Sequence, residues 1–526
     1  MAERFYQNPI ILGDYSDPDV VRVGNDFFMV SSSFNHMPAL PVLHSTDLVN
    51  WTIINHVFQS FPLEGYDVVR PGAGVWAPSI RWHDKKLWVY FSTPDEGIFM
   101  SNTSDPWGAW SELHCVRKVR GWIDPCPFWD DDGSAWLVNA FAYSRCGVKH
   151  QLQLHQMTAD GRELTGEAHI IYDGHSDLPT LEGPKIYKRK NWYYIFAPAG
   201  GVENGWQSVL RAPSMTGPWQ ARNVLFQGTT AVNGPHQGGW VEGEQGQCWF
   251  IHFQDLHLYG RVVHLQPMYW GEDNWPYIGT PLNDTGGGQP VLRWPYPGGL
   301  PHSGQHRIQT SDTFVGGKPG LQWQWQANPQ SAWVIQRDEG LQLRCMPVPV
   351  VEGQRTLYHI PHLLLQKFPA LTFRVHTTAC LQAGQPGDAG GIIVFGERYA
   401  ALVLESQEKG YQLAFIQGWV SDTGKKEEYR LILASLQTSA CQLRVDVTEG
   451  GICRFYWREG DENWLPCHTN FAAGKGKWVG AKFGVFALTT AFSPGGTCLF
   501  PEVEVSDNRP PSGHDGLRPG SQARFS

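Results

Sequence analysis

Through the first 280 or so residues, apolar and aromatic positions come in short runs that face each other across turn residues, the pattern of β-hairpins rather than helices. The run Asp19-Val20-Val21-Arg22-Val23 and the run Phe27-Phe28-Met29-Val30 flank a turn at Gly24-Asn25-Asp26. The same arrangement recurs four times. Trp76-Ala77-Pro78-Ser79-Ile80-Arg81-Trp82 leads across His83-Asp84-Lys85-Lys86 to Leu87-Trp88-Val89-Tyr90-Phe91, and Asp124-Pro125-Cys126-Pro127-Phe128-Trp129 leads to Ala135-Trp136-Leu137-Val138. Glu182-Gly183-Pro184-Lys185-Ile186-Tyr187 precedes Trp192-Tyr193-Tyr194-Ile195-Phe196, and His236-Gln237-Gly238-Gly239-Trp240-Val241 precedes Cys248-Trp249-Phe250-Ile251-His252.

Five hairpins at intervals of about 50 to 60 residues predict a radial repeat, since four-stranded propeller blades recur at about 40 to 50 residues. A second repeated phrase supports this: His44 to Trp51, Ser101 to Trp107 and Arg211 to Trp219 each read as an outer strand ending in a turn. If the first strand of each hairpin is innermost in its blade, Asp17, Trp76-Ala77, Asp124, Glu182 and His236 converge on one axis.

A Pro/Gly-rich passage, Thr280 to Pro301, reads as linker or irregular loop. Beyond about Ser311, alternating runs such as Leu341 to Cys345, Leu371 to Val375, Gly391 to Phe395, Tyr411 to Phe415 and Leu443 to Val447 predict an antiparallel sandwich. The fold class is therefore all-β: a five-bladed β-propeller over 1–300 and a C-terminal β-sandwich over 301–505. The tail 506–526, rich in Pro, Gly, Ser and charge, reads as disordered. No long amphipathic helix is expected.

Composition narrows the function more than the fold. Of 526 residues only 17% are charged while 13% are aromatic, including 24 Trp, which favours a compact β-rich protein. A net charge of −9 argues against nucleic acid or an anionic membrane as partner, because either wants a basic face. Ten cysteines without a CxxC pair or tight cluster predict buried, reduced thiols and no zinc site. Met1 to Pro9 lacks the apolar core of a secretory signal and no run reaches the length of a membrane span, so the cytoplasm is the expected location.

An acid before proline is usually a turn residue, and Asp105-Pro106 is read that way. Asp17, Asp124 and Glu182 differ because they hold equivalent places in repeats that close on one another. Three converging carboxyls repel and perturb one another's protonation, which a purely structural arrangement would avoid. Glycosidic cleavage needs such a set: one carboxyl protonates the leaving oxygen, another activates water or attacks carbon, and a third nearby keeps the acid protonated. Aromatic walls suit the apolar faces of sugars.

These residues carry a resemblance. Asn8-Pro9-Ile10 leading to Ser16-Asp17-Pro18-Asp19, then Trp76-Ala77-Pro78-Ser79, Asp124-Pro125 before Phe128 to Gly133, and Leu181-Glu182-Gly183-Pro184 resemble glycoside hydrolase family 43, in particular its two-domain β-xylosidases and α-L-arabinofuranosidases. The resemblance covers the propeller by motif and the second half by layout. It implies Asp17 as general base, Glu182 as general acid and Asp124 as the residue that raises and orients the acid. It implies inversion, with the Asp17 and Glu182 carboxyls about 6.5–9.5 Å apart. Arg261 matches an arginine that contacts the terminal sugar, with a surface ion pair as the alternative. Phe34 and Trp76 match pocket walls, with simple core as the alternative.

His236 matches a histidine facing a bound cation, often Ca2+, with waters as the main further ligands; its alternative is a structural histidine. Ser16, Cys126 and Lys185 depart from the family's usual residues without removing a carboxylate. Phe483 or Phe486 is a candidate to reach the pocket from the second domain. The implied function is an exo-acting glycosidase releasing β-D-xylose from short xylo-oligosaccharides, with α-L-arabinofuranosidase side activity. An arabinan- or arabinoxylan-specific arabinofuranosidase and a non-catalytic sugar-binding protein are the alternatives. The expected partner is a small oligosaccharide, and the oligomeric state stays open.

Overall fold

The computed structural model describes residues 4–282, 286–300, 307–421, 424, 426–467 and 469–507. Five sheets follow one another along the first half, each with four antiparallel strands opening on a predicted hairpin and the fourth widened to six strands. Their innermost strands are Asp19–Val23, Ser79–His83, Trp122–Trp129, Lys185–Arg189 and His236–Glu242. The repeated phrases fall on the third strands Ala39–Ser45, Gly97–Thr103 and Trp206–Ala212.

The near-continuous apolar runs have a physical reason, because each blade is covered on both faces. In the strand Asp26–Val30, Phe27 and Met29 pack with Val241, Ile251 and Val263 of the fifth blade, while Phe28 and Val30 pack with Ile80, Val89 and Phe91 of the second. Side chains alternate across a strand, so two apolar faces erase the apolar–polar alternation of a half-exposed sheet. Equivalent clusters fill the remaining gaps, which closes the ring.

The described parts of the passage 280–301 are more ordered than its composition predicts. Thr280–Pro281 and Gly288–Gln289 extend the edge of the fourth blade, and Arg293–Pro295 pairs with Phe5–Gln7. Asn8 then ties the N-terminal segment to the fifth blade, its Nδ2 donating to the carbonyls of Leu265 (2.8 Å) and Val291 (2.7 Å). Open edge strands offer unpaired backbone groups to any passing segment, a long-range opportunity that local Pro and Gly content does not reveal.

Two sheets face each other in the second half. Leu402, Leu404, Phe415 and Val485 on one side meet Val375, Leu443, Val445 and Phe455 on the other. Phe483 is fully buried in this core and Phe486 in the cluster on the opposite face of its strand, so neither reaches the propeller mouth. Ser506 and Asp507 complete the strand Val503–Asp507, paired with Phe373–Gln382; the rest of the expected tail lies outside the described residues.

Backbone hydrogen bonds stitch the domains together. Met37 and Trp325 exchange both N–H···O bonds (3.0 and 2.6 Å), Asn35 Nδ2 donates to the Gln326 carbonyl (2.8 Å), and Ala481 N donates to the Leu258 carbonyl (2.6 Å). Among the described residues, the α-helix is the single turn Tyr143–Cys146, and no helix is long and apolar enough to cross a membrane. The cysteines are free; seven are buried, but Cys115 and Cys146 are exposed, against the expectation of uniformly buried thiols.

Candidate active site

Asp17, Trp76, Asp124, Glu182 and His236 sit at or just before an innermost strand, where the backbone is irregular, while Phe34 follows the second strand of the first blade and Arg261 opens the third strand of the fifth. The register of the third blade shifts between Ile123 and Cys126, and that of the fifth between His236 and Gly238. Such bulges re-aim a side chain out of the sheet plane. Asp17 (φ 54°), Asp124 (φ 55°) and Gln237 (φ 41°) occupy the left-handed region, which costs a non-glycine residue roughly 1–3 kcal/mol. Gly183 (φ 58°) follows Glu182, and a Cβ there would lie 2.6 Å from the Gln237 amide carbon.

The three carboxyls are brought to one mouth. Asp17 and Asp124 are nearly buried, and the Glu182 side chain remains 24% exposed, the most open of the three. Ser32 Oγ donates to Asp17 Oδ2 (2.5 Å), and Arg261 Nη1 donates to Asp17 Oδ1 (3.2 Å). Asp124 Oδ2 accepts the Gly183 N–H (2.9 Å), so the acid of the third blade is fastened to the residue after the acid of the fourth. His236 Nε2 lies 3.0 Å from Glu182 Oε1.

Burial, reinforced by the nearby Glu182 and Asp17 carboxylates, pushes the Asp124 carboxyl up to about 8. A carboxyl held neutral exerts no like-charge repulsion on Glu182, so of the two parts the resemblance implies for Asp124, raising and orienting the acid, the geometry supports the orienting one. Lys185 opposes the upward shift of Asp124. Its side chain is fully buried, its ammonium donating to the Pro78 carbonyl (3.0 Å) and Ser79 Oγ (3.1 Å) of the second blade. Deeper along the axis, Asp19 accepts from Arg81 Nη1 (2.7 Å) and the Ile80 N–H (2.9 Å). Desolvated charges need partners, and these two pairings place a cation from one blade against acceptors of another.

Arg261 is buried, not part of a surface pair. Its guanidinium touches Asp17, lies 5.0 Å from the centre of the Phe253 ring and 5.9 Å from that of Trp478. Phe34 is buried with φ 51°, holds Val75 by paired backbone bonds of 2.9 Å, and stands outside the apolar clusters between the blades. Trp76 is partly buried; its Nε1 donates to the Gly72 carbonyl (2.9 Å), and its ring packs in part against the cluster between the third and fourth blades.

A calcium ion facing His236 would draw its ligands mainly from water, as the resemblance implies, because the protein groups around the imidazole are few. Nε2 is engaged with Glu182, Nδ1 is buried without a protein partner, and no three His, Cys, Asp or Glu side chains gather as ligands among the described residues. Calcium takes six to eight oxygens, so with one imidazole facing it the ion's shell would be water.

Sequence reasoning missed Ser32, Asp14 and Trp478. Ser32 lies in the run Ser31-Ser32-Ser33, where nothing singles it out. Trp478 comes from the sandwich, on the segment Gly476 to Gly480, with φ 64° and its side chain 44% exposed. A Cβ on Gly72 would lie 3.0 Å from Trp478 Cδ1 and 2.6 Å from Lys477 Cγ, so this segment rests on the loop that also holds Trp76. Trp478 takes the place expected of Phe483 or Phe486. An aromatic ring beside Arg261 at the rim of a carboxylate-lined mouth suits a sugar face.

Comparison with known proteins agrees with this architecture. The model of Glycosyl hydrolases family 43 matches residues 6–276, and that of the beta-xylosidase C-terminal Concanavalin A-like domain matches residues 311–506. A candidate beta-xylosidase of Xylanibacter ruminicola is 38% identical over 490 residues, covering 92% of this chain and 86% of that protein. A beta-xylosidase of Formosa agariphila is 26% identical over 531 residues, covering 92% and 87%. A non-reducing end alpha-L-arabinofuranosidase of Bacteroides ovatus is 28% identical over 362 residues, covering 65% of each. The solved xylan beta-1,4-xylosidase of Bacillus halodurans superposes with a TM-score of 0.80 at 23% identity, over 95% of this chain and 100% of that one, a likeness of fold. With the propeller and the sandwich each matched over their length, the chain belongs to glycoside hydrolase family 43.

Proposed function

We propose that this glycoside hydrolase is an inverting exo-enzyme that releases terminal β-D-xylose from short xylo-oligosaccharides, with α-L-arabinofuranosidase side activity. The observation that carries the reading is the gathering of Asp17, Asp124 and Glu182 at one mouth, where Asp124 is pushed towards its neutral form. In the proposed reaction Asp17 takes a proton from a water as that water bonds to the anomeric carbon. The bond from that carbon to the leaving oxygen breaks, and Glu182 gives its proton to the oxygen. Asp124 holds the Gly183 N–H and so orients the loop that carries Glu182. Arg261, Phe34, Trp76 and Trp478 supply the contacts that hold the terminal sugar.

Xylopyranose and arabinofuranose are both pentoses with similar ring hydroxyls, so one site that contacts those hydroxyls accepts either. The β-xylosidase names of two relatives support xylosides as the main substrates, and the arabinofuranosidase name of a third supports the side activity. Short oligosaccharides suit a cytoplasmic location, which belongs to the proposal. Proton NMR of xylobiose and arabinobiose digests, read before mutarotation, tests it. Release of α-xylose from xylobiose, faster than arabinose from arabinobiose, is expected. Release of β-xylose would overturn inversion, faster arabinose release would favour the arabinofuranosidase reading, and no release from either would leave a sugar-binding protein.

A further inference from the structure

The Arg261–Asp17 pair is braced from behind by a residue to which the reaction assigns nothing. Asp14, 4% exposed, accepts the backbone N–H of Arg261 through Oδ1 (2.9 Å) and the Gly480 N–H through Oδ2 (3.0 Å). Oδ1 also accepts Ser16 Oγ (3.3 Å), and the Tyr15 N–H donates to the Arg261 carbonyl (3.0 Å). One carboxylate thus joins three parts of the molecule: the loop that carries Asp17, the start of the strand Arg261–Trp270, and the sandwich segment that carries Trp478.

The space around Asp14 is built for this contact. A Cβ on Gly260 (φ 76°) would sit 2.4 Å from Asp14 Cγ, and a Cβ on Gly480 would sit 2.6 Å from Gly260 N. Both positions are glycine, which lets two backbones close on one carboxylate. Lys482, 3% exposed and two residues beyond Gly480, and Lys367 both lie near this carboxylate; burial pushes both lysines down and Asp14 opposes that shift. A buried carboxylate that accepts two backbone N–H groups is a stiff joint, because each alternative leaves a desolvated donor unpaired.

We propose that Asp14 is a positioning residue through which the β-sandwich sets the Arg261–Asp17 pair. This rests on the reading that Arg261 holds the terminal sugar and Asp17 acts as base. In an Asn side chain one oxygen still accepts, but the amide nitrogen confronts a second N–H donor, so Asp14→Asn loosens one of the two grips without changing volume.

The experiment is a double-mutant cycle in the full-length protein, with Asp14→Asn, Arg261→Gln and both together, measured as kcat and KM on xylobiose alongside thermal unfolding. Asp14→Asn is expected to lower kcat/KM by roughly 10- to 100-fold, the scale of a lost charge-assisted hydrogen bond, and to cost less than about threefold once Arg261 is Gln. Gly480→Ala, which pushes on the joint from the sandwich side, is expected to show the same coupling and carries the cycle if Asp14→Asn does not fold. Wild-type activity in Asp14→Asn, or an equal loss in both backgrounds, would overturn the inference. An Arg261→Gln enzyme as active as wild type would instead overturn the reading of Arg261.

Discussion

Glu182 Oε1 and His236 Nε2 lie 3.0 Å apart, the imidazole fully buried and the carboxyl open towards solvent on its other side. A rigid histidine holding one oxygen of a carboxyl leaves the second oxygen free to face a glycosidic bond. This contact joins the innermost strands of the fourth and fifth blades at the height where the other two carboxyls enter. It gives His236 a protein partner in the fourth blade.

If Glu182 is the proton donor, its removal matters most where the leaving group needs the proton. Glu182→Gln is expected to lower kcat on xylobiose by about 10²–10⁴-fold and to spare most of the rate on an aryl xyloside with an acidic phenol. Equal losses on the two substrates would contradict the role.

Replacing His236 by Ala frees Glu182 Oε1 and is expected to reduce kcat on xylobiose by about tenfold, the cost of one lost hydrogen bond to a charged group. Chelation of the wild-type enzyme with EDTA is expected to lower activity and calcium readdition to restore it. Activity indifferent to both would leave His236 as a structural residue.

The Asp124 carboxyl, raised from 3.8 to about 8, makes a signed prediction for stability. Between those values the folded state keeps a proton that the unfolded chain has released, so folding loses stability as pH rises through the window. Asn does not titrate. The unfolding temperature of Asp124→Asn, taken relative to wild type, should therefore climb from about pH 4 to about pH 8 and level off beyond. A difference that is constant with pH would show that Asp124 titrates as an ordinary exposed acid.

Trp478 offers a separate test of the rim. Trp478→Ala is expected to raise KM for xylobiose by roughly tenfold while kcat changes little, the signature of lost binding common to ground and transition states. A fall in kcat with KM unchanged would place the ring against the reacting centre instead.

Much of this protein is legible along the chain. Five tip-and-hairpin phrases determine five blades because each blade must bury both faces, and only runs apolar on both alternations do so. Asp17, Asp124 and Glu182 are legible for the same reason, since equivalence within a repeat is a statement about position around an axis. Tertiary structure alone decided the rest. That Phe483 and Phe486 are core, that Trp478 reaches the rim, and that Asp14 rather than a nearer residue braces Arg261 depend on how two independently patterned domains dock. The pairing of Arg293–Pro295 with Phe5–Gln7 likewise spans nearly the whole propeller. Local periodicity reports which face of an element is apolar. It carries no information about which distant backbone group will arrive to satisfy a buried donor or acceptor, and at this site those arrivals set the geometry.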